Sequence, residues 1–94
     1  MKEAYLEVTF RGGKPIAAYY YLPRRPAQKV YKSVSGGPGL IVDLSRGGKP
    51  IGIEITAPGL VSPADLNRVL KRFGLSPARR SDLQPLKGCL PVID

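Results

Sequence analysis

The chain has 94 residues and a formal net charge of +8, from 15 lysines and arginines against 7 aspartates and glutamates. One cysteine and no histidine exclude an intrachain disulfide, zinc sites built from Cys and His, and catalysis that depends on imidazole. We therefore expect one basic domain that is not an enzyme and holds no cofactor or metal. Its charge favours an acidic partner, either nucleic acid or an acidic protein.

The sequence shows no targeting or membrane-spanning segment. No apolar run approaches the roughly 18 residues that a membrane span needs, and the N-terminal residues pass at once into an alternating pattern. These features predict a cytoplasmic protein that does not enter a membrane. The composition, with ten prolines but only one asparagine, two glutamines, one cysteine and one methionine, also suggests a thermophilic source.

Two strands are predicted in the first quarter of the chain. Residues 4–10 alternate regularly, with Tyr5, Glu7 and Thr9 on one side and the more apolar residues on the other. A Gly-Gly turn leads to a second strand over residues 16–22, which ends at two closely spaced prolines. The turn sequence Arg-Gly-Gly-Lys-Pro-Ile at 11–16 returns at 46–51. We favour convergent turn chemistry over a duplicated hairpin because only the turn repeats.

A third strand is predicted over residues 28–34, with Val30 and Val34 on one side, and its polar alternation suggests either an edge position or one solvent-exposed face. A central hairpin over residues 39–56 follows. If its turn consists of Gly47 and Gly48 alone, three aliphatic pairs face each other across the hairpin. These pairs are Leu40 with Ile55, Val42 with Ile53, and Leu44 with Ile51.

One helix is predicted after the strands, over about residues 63–73. Ser62 is the expected N-cap, with Asp65 at the third helical position and Gly74 just past the end, and an apolar stripe lies on one side. Residues 76–94 contain three prolines and no sustained period, so they are expected to form an extended C-terminal arm with an apolar end at 89–93. The predicted fold is α+β: a domain over 1–75 with an antiparallel meander sheet of four to five strands, one helix on one face, and the arm.

Three pieces of the sequence resemble a small prokaryotic family of unknown function. They are Ala4-Tyr5-Leu6 in the first strand, Val42-Asp43, and Gly48-Lys49-Pro50-Ile51-Gly52-Ile53-Glu54-Ile55. The resemblance covers residues 3–57 and implies a β-rich, dimeric, non-enzymatic module. Some members look like the antitoxin half of toxin–antitoxin pairs. The resemblance brings no catalytic residues.

A surface of tyrosines and cations is the main candidate site. Aromatic rings among lysines and arginines hold single-stranded nucleic acid by base stacking and phosphate neutralisation. The alternative is a structural or antitoxin-like interaction module, in which these tyrosines pack normally and the charge is merely solvated. Three consecutive tyrosines, 19–21, must also divide between the two faces of a strand. The predicted binding residues are Tyr19, Tyr21, Arg24, Arg25, Lys29, Tyr31, Lys32, Arg46 and Lys49.

The face of the sheet without a helix is the second candidate. It is expected to carry Tyr5, Ile41 and Glu54 together with one or two of Tyr19 and Tyr21, which predicts a homodimer unless the arm covers it. Asp43 and Glu54 lie on neighbouring predicted strands, and with Glu7 they would form an acidic group. We interpret these acids as salt-bridge partners rather than as a metal or catalytic site.

Overall fold

Five antiparallel strands form one open sheet in the computed structural model, which describes residues 3–25 and 27–87. The α+β class predicted from the sequence is confirmed. The strand order is β1-β2-β5-β4-β3, so the sheet combines one hairpin with one three-stranded meander. The strands are β1 (Tyr5–Arg11), β2 (Lys14–Tyr21), β3 (Lys32–Gly37), β4 (Leu40–Leu44) and β5 (Pro50–Ile55).

The pairing of β2 with β5 is the one departure from strict meander order. A strict meander would place β3 beside β2, but β3 instead forms the edge, as its polar sequence suggested. Because β5 supplies Ile51, Ile53 and Ile55, all fully buried, it gains most from the central position. Serines and glycines in β3 bury less apolar surface and tolerate the edge.

Helix α1 (Pro63–Arg72) begins and ends close to the predicted positions. The backbone N–H of Asp65 donates to the Ser62 hydroxyl at 3.2 Å, and the backbone N–H of Ser62 donates to the Asp65 carboxylate at 2.9 Å. This reciprocal capping box satisfies two N–H groups that the first turn leaves without helical partners. Leu66, Val69 and Leu70 on its apolar side are buried in the core.

The core lies between α1 and one face of the sheet. Tyr20, the middle one of the three consecutive tyrosines 19–21, contributes to it. Tyr20 is 3% exposed and packs with Ala18, Ile53 and Ile55, whereas Tyr19 and Tyr21 point to the opposite side. Two residues expected on the core side are instead largely exposed, Phe10 at 59% and Val30 at 49%. Val30 is exposed because β3 begins at Lys32, later than predicted.

The described part of the C-terminal arm lacks regular secondary structure over residues 76–79. A 3-10 turn at Arg80–Leu83 follows, and helix α2 (Gln84–Lys87) continues from it. Leu83 and Leu86 are buried in the same core as α1, because a spacing of three residues places both on one side of a helical segment. The apolar end predicted for the arm, residues 89–93, lies outside the described residues. Among those that are described, no helix is long and apolar enough to cross a membrane.

The two Arg-Gly-Gly-Lys-Pro-Ile sequences form different turns. In the first, Gly12 and Gly13 have φ of 57° and 77° and make a two-residue turn between Arg11 and Lys14. In the second, Ser45 pairs with Lys49 around a three-residue loop, in which Gly48 has φ of 85°. The predicted two-residue turn is therefore wrong there. Leu44 lies opposite Pro50, although Leu40 and Val42 do face Ile55 and Ile53 as predicted.

A bulge follows the proline of each repeat. Phe10 pairs with Pro15 and Thr9 with Ala17, which leaves Ile16 as an extra residue. Leu44 pairs with Pro50 and Asp43 with Gly52, which leaves Ile51 extra in the same way. Proline has no N–H for the ladder, so the pairing is already interrupted where the extra residue is inserted. The first bulge places Tyr5 opposite Tyr21 and so decides which tyrosines share a face.

Candidate nucleic-acid interface

The loop after β2 and the turn after β4 lie at the same end of the sheet. The backbone N–H of Leu22 donates to the Ile51 carbonyl at 3.2 Å, and that of Tyr31 donates to the Leu44 carbonyl at 2.8 Å. These hydrogen bonds hold the start and the end of the loop against strands β5 and β4. We call this region, residues 22–25, 27–32 and 45–49, the basic end.

The basic end carries six of the fifteen cationic side chains, and no carboxylate occurs in its sequence. Among the described residues, the ion pairs within 4 Å involve Arg68 and Arg79, both outside this region. The sequence of the basic end therefore concentrates positive charge, which favours an anionic ligand. The six residues are Arg24, Arg25, Lys29, Lys32, Arg46 and Lys49.

A groove of about 470 Å³ opens at the basic end beside an exposed aromatic ring. The Tyr31 ring is 63% exposed, and the guanidinium carbon of Arg46 lies 5.4 Å from its centroid. This distance is typical of a cation–π contact. The rest of the lining consists of Ala27, Gln28, Lys29, Val30, Ser45 and Gly47. The groove thus combines a stacking surface with cations on its rim.

Local hydrogen bonds order both segments that form the groove. The Arg25 N–H donates to the Gln28 side-chain oxygen at 2.9 Å, and the Gln28 N–H donates back to the Arg25 carbonyl at 3.0 Å. In the turn, the buried Ser45 hydroxyl accepts from the Lys49 N–H at 3.3 Å. A segment that is already ordered loses less conformational entropy when a ligand binds.

Tyr19 and Tyr21 do not line this groove. They lie on the sheet face opposite the core, where Tyr21 stacks on Tyr5 with ring centroids 4.5 Å apart and planes 14° from parallel. The Tyr19 ring is 4.6 Å from Tyr21 at a tilt of 56°, and the Arg24 guanidinium lies 5.6 Å from the Tyr21 ring. We call Tyr5, Tyr19 and Tyr21 the tyrosine patch. Tyr5 was not among the predicted binding residues. Its alternation with the half-buried Leu6 was the sequence signal that could have placed it on the exposed side of β1.

Asp43 lies beside the tyrosine patch and accepts two hydrogen bonds from hydroxyl groups. The Tyr19 hydroxyl donates to Oδ2 at 2.7 Å, and the Ser33 hydroxyl donates to Oδ1 at 2.6 Å. Burial of the phenol raises the pKa of Tyr19, and the hydrogen bond to Asp43 and the charge of that carboxylate raise it further. In the described part of the chain, Asp43 therefore accepts hydrogen bonds from the hydroxyl groups of Tyr19 and Ser33, whereas the sequence suggested an arginine or lysine as its partner.

The two outer acids lie on either side of Tyr19 across the sheet. Glu7 of β1 and Glu54 of β5 both pair with Tyr19, and both are exposed. No group of three His, Cys, Asp or Glu residues that could hold a metal ion occurs within residues 3–25 and 27–87. The predicted tyrosine and cation surface is thus divided into a basic end around Tyr31 and an acidic face around Tyr19.

No family model, no curated protein and no solved structure matches the chain. The resemblance to a small prokaryotic family over residues 3–57 stays a prediction.

Proposed function

We propose that this protein is a non-enzymatic module that binds single-stranded nucleic acid with its basic end. The observation that carries the proposal is the groove in which the exposed Tyr31 ring lies under the Arg46 guanidinium, with Lys29 also in its lining and no carboxylate in the sequence of the basic end. Cations on the rim neutralise phosphates, and the aromatic ring offers a surface on which a base stacks.

The geometry favours a single strand over a duplex. Bases of a single strand are free to stack on an exposed ring, which contributes about 1–3 kcal/mol per base. A duplex keeps its bases stacked on each other and is usually read by a helix in its major groove. The basic end presents a loop and a turn, and the described residues 22–25, 27–32 and 45–49 contain no helix that would enter a groove.

Fluorescence anisotropy tests the proposal with labelled single-stranded RNA, single-stranded DNA and duplex DNA of equal length, titrated at about 50 and 200 mM salt. We expect binding that prefers single strands and weakens steeply with salt. Each phosphate contact to a single strand contributes about 0.7 to the slope of log K against log salt. The double variant Arg46→Ala/Lys49→Ala should therefore lower the magnitude of that slope by up to about 1.4.

A matched control separates this site from the overall charge. The variant Lys71→Ala/Arg80→Ala also removes two exposed cations, but from α1 and the segment before α2. It should leave the affinity within about twofold, whereas Tyr31→Ala should weaken binding at both salt concentrations by about fivefold or more. Equal losses in both double variants would overturn the assignment to the basic end.

An acidic protein is the alternative partner for the same cations. Tyr31 and Arg46 would then contact carboxylates rather than bases and phosphates, and the anisotropy titrations would show no binding at either salt concentration. That result would reject the nucleic-acid proposal. It would leave the interaction module predicted from the sequence as the function to test.

A further inference from the structure

The sheet face opposite the core presents two neighbouring rows of side chains. Across the strands, one row contains Glu7, Tyr19, Glu54, Ile41 and Ser35, in that order. The next row contains Tyr5, Tyr21, Gly52, Asp43 and Ser33. We call these two rows the open face. Glu7, Glu54 and Tyr5 on it are exposed to solvent.

The residues of the two rows carry a charge opposite to that of the molecule, and the Arg24 guanidinium, from the loop after β2, lies over the Tyr21 ring beside them. Both rows contain carboxylates and no lysine or arginine, in a chain with a net charge of +8. Glu7 and Glu54 are the two exposed acids, and each lies one strand away from Tyr19. Adjacent strands are about 4.8 Å apart, so the two acidic backbone positions are separated by about 10 Å with an aromatic residue between them.

The aromatic side chains on this face are held in place before any ligand arrives. The hydroxyl of Tyr19 is bonded to Asp43, and its ring lies directly over the backbone of Gly52. Tyr21 is stacked between Tyr5 and the tilted ring of Tyr19. A rigid aromatic surface binds a partner with a small loss of side-chain entropy.

The molecule itself places a guanidinium on this patch. The side chain of Arg24, which follows the end of β2, lies with its guanidinium carbon 5.6 Å from the Tyr21 ring. Arginine is held best where an aromatic face and a carboxylate are available together. Tyr19 offers the same combination, with Glu7 and Glu54 on its two sides.

We propose that the open face binds an arginine-rich segment of a partner protein, with one guanidinium beside Tyr19 and between Glu7 and Glu54. The inference does not depend on nucleic-acid binding, since it uses a different surface. Glu54 is four residues from Pro50, the first residue of β5 after the basic end, a distance of about 13 Å along a strand. At physiological ionic strength the Debye length is about 8 Å, so the cations of the turn after β4, Arg46 and Lys49, are largely screened from this site. Arg24 instead lies on the neighbouring Tyr21 ring.

The charges favour a basic partner over a second copy packed face to face. Such a dimer would bury four exposed carboxylates, Glu7 and Glu54 of both copies, with the two Arg24 guanidiniums on the tyrosine patches as partial compensation. Burying like charges with incomplete compensation is unfavourable. A second copy that inserts its basic end is the remaining form of self-association, and sedimentation of the protein alone detects it.

The test is an NMR titration of the full-length, ¹⁵N-labelled protein with the blocked peptide Gly-Arg-Gly-Arg-Gly-Arg-Gly. We expect amide shifts at Tyr19, Glu54 and their neighbours, while Tyr31 and Arg46 stay unchanged. The lysine version of the peptide should bind at least about threefold more weakly, because an ammonium lacks the planar, bidentate geometry of a guanidinium. A glutamate version should not bind.

Two variants with the same change in net charge locate the site. Glu54→Gln should weaken peptide binding by at least about fivefold, because it removes one charged acceptor. Ser76→Lys adds the same unit of charge at an exposed residue of the segment after α1 and should have less than a twofold effect. Glu54→Gln should leave nucleic-acid binding unchanged, and Tyr31→Ala should leave peptide binding unchanged, so the two proposals fail separately.

Three results would overturn the inference. The first is an absence of amide shifts with the arginine peptide, and the second is a set of shifts that Glu54→Gln does not reduce. The third is self-association of the unbound protein that Glu54→Gln and Arg46→Ala both abolish, which would identify a second copy as the occupant.

Discussion

The Tyr19 hydroxyl donates a 2.7 Å hydrogen bond to Asp43 over the backbone of Gly52. Tyr19 lies on β2 and Asp43 on β4, and Gly52 belongs to β5 between them. Since Ser33 of β3 holds the other oxygen of Asp43, side chains of three strands meet in one hydrogen-bonded group above a fourth. This group holds the Tyr19 ring over Gly52, beside the row that contains the two exposed acids, Glu7 and Glu54.

Gly52→Ala should destabilise the fold, because the new Cβ would overlap the Tyr19 ring and hydroxyl. Displacing the ring would break its bond to Asp43, and overpacking of this kind costs about 1–3 kcal/mol. Urea denaturation measures the difference. Gly47→Ala is the matched control, since nothing lies within 4 Å of its Cβ position and its φ is not positive. Equal stability of the two variants would contradict the contact.

Tyr19→Phe should lower the free energy of unfolding by about 1–2 kcal/mol at pH 7, because Asp43 loses a donor. The difference in stability between the wild type and Tyr19→Phe should become smaller at high pH. The pKa of Tyr19 is raised in the folded protein, chiefly by burial, so above pH about 10 the unfolded chain loses a proton that the folded chain keeps. Stability then falls by up to about 1.4 kcal/mol per pH unit for this group.

Denaturation curves at several pH values between 7 and 11.5 check this expectation. Ser33→Ala is the comparison, because it removes the other donor to Asp43 without removing a titrating group. The decrease in the free energy of unfolding that Ser33→Ala causes at pH 7 should persist at high pH. If the Tyr19→Phe curve stayed parallel to that of the wild type, the proposed linkage would be wrong.

Ser62→Ala should destabilise the protein by about 1 kcal/mol, the usual cost of losing a helix N-cap. Asp65→Asn tests the other half of the capping box. Hydrogen bonds from the Ser62 backbone and hydroxyl lower the pKa of Asp65, so its contribution is present above pH about 4 and is lost as the pH falls below that. The wild type and Asp65→Asn should therefore converge in stability between pH 5 and 2 in thermal or urea unfolding. A constant difference would reject this role for the ionised carboxylate.

Leu86→Ala should cost about 2–5 kcal/mol, since Leu86 is fully buried in the core and its truncation leaves a cavity. Leu60→Ala is the control, because Leu60 is 81% exposed and its truncation should change stability by less than about 0.5 kcal/mol. Chemical denaturation of both variants measures the contrast. Similar, small effects would mean that the segment before residue 87 is not part of the cooperative core.

The strand faces were predictable where alternation is regular. Leu40 and Val42 face Ile55 and Ile53, because every second residue of a strand points to the same side and these four are aliphatic. The capping box of α1 was also predictable, since it depends on residues three positions apart. The short helix at 84–87 was not, because four residues are too few for a periodic signal.

The candidate sites were only partly predictable. The sequence showed that three consecutive tyrosines must divide between two faces, but an unbulged turn at Gly12 and Gly13 would have placed Tyr5 opposite Tyr20. The extra residue Ile16 shifts the register by one, and Tyr5 lies opposite Tyr21 instead. Register depends on the bulge, and a one-residue shift exchanges the two faces of a strand.

What the sequence determined by itself is local or additive: the alternation of the strands, the start of α1, the positions of the turns and the net charge. Only the tertiary structure decided the pairing of β2 with β5, the register at the two bulges, and the division of charge between a basic end and an acidic open face. Those features depend on contacts such as that of Tyr19 with Asp43, 24 residues apart. Such contacts form in only one of several competing strand pairings, and local periodicity carries no information about which pairing is the most stable.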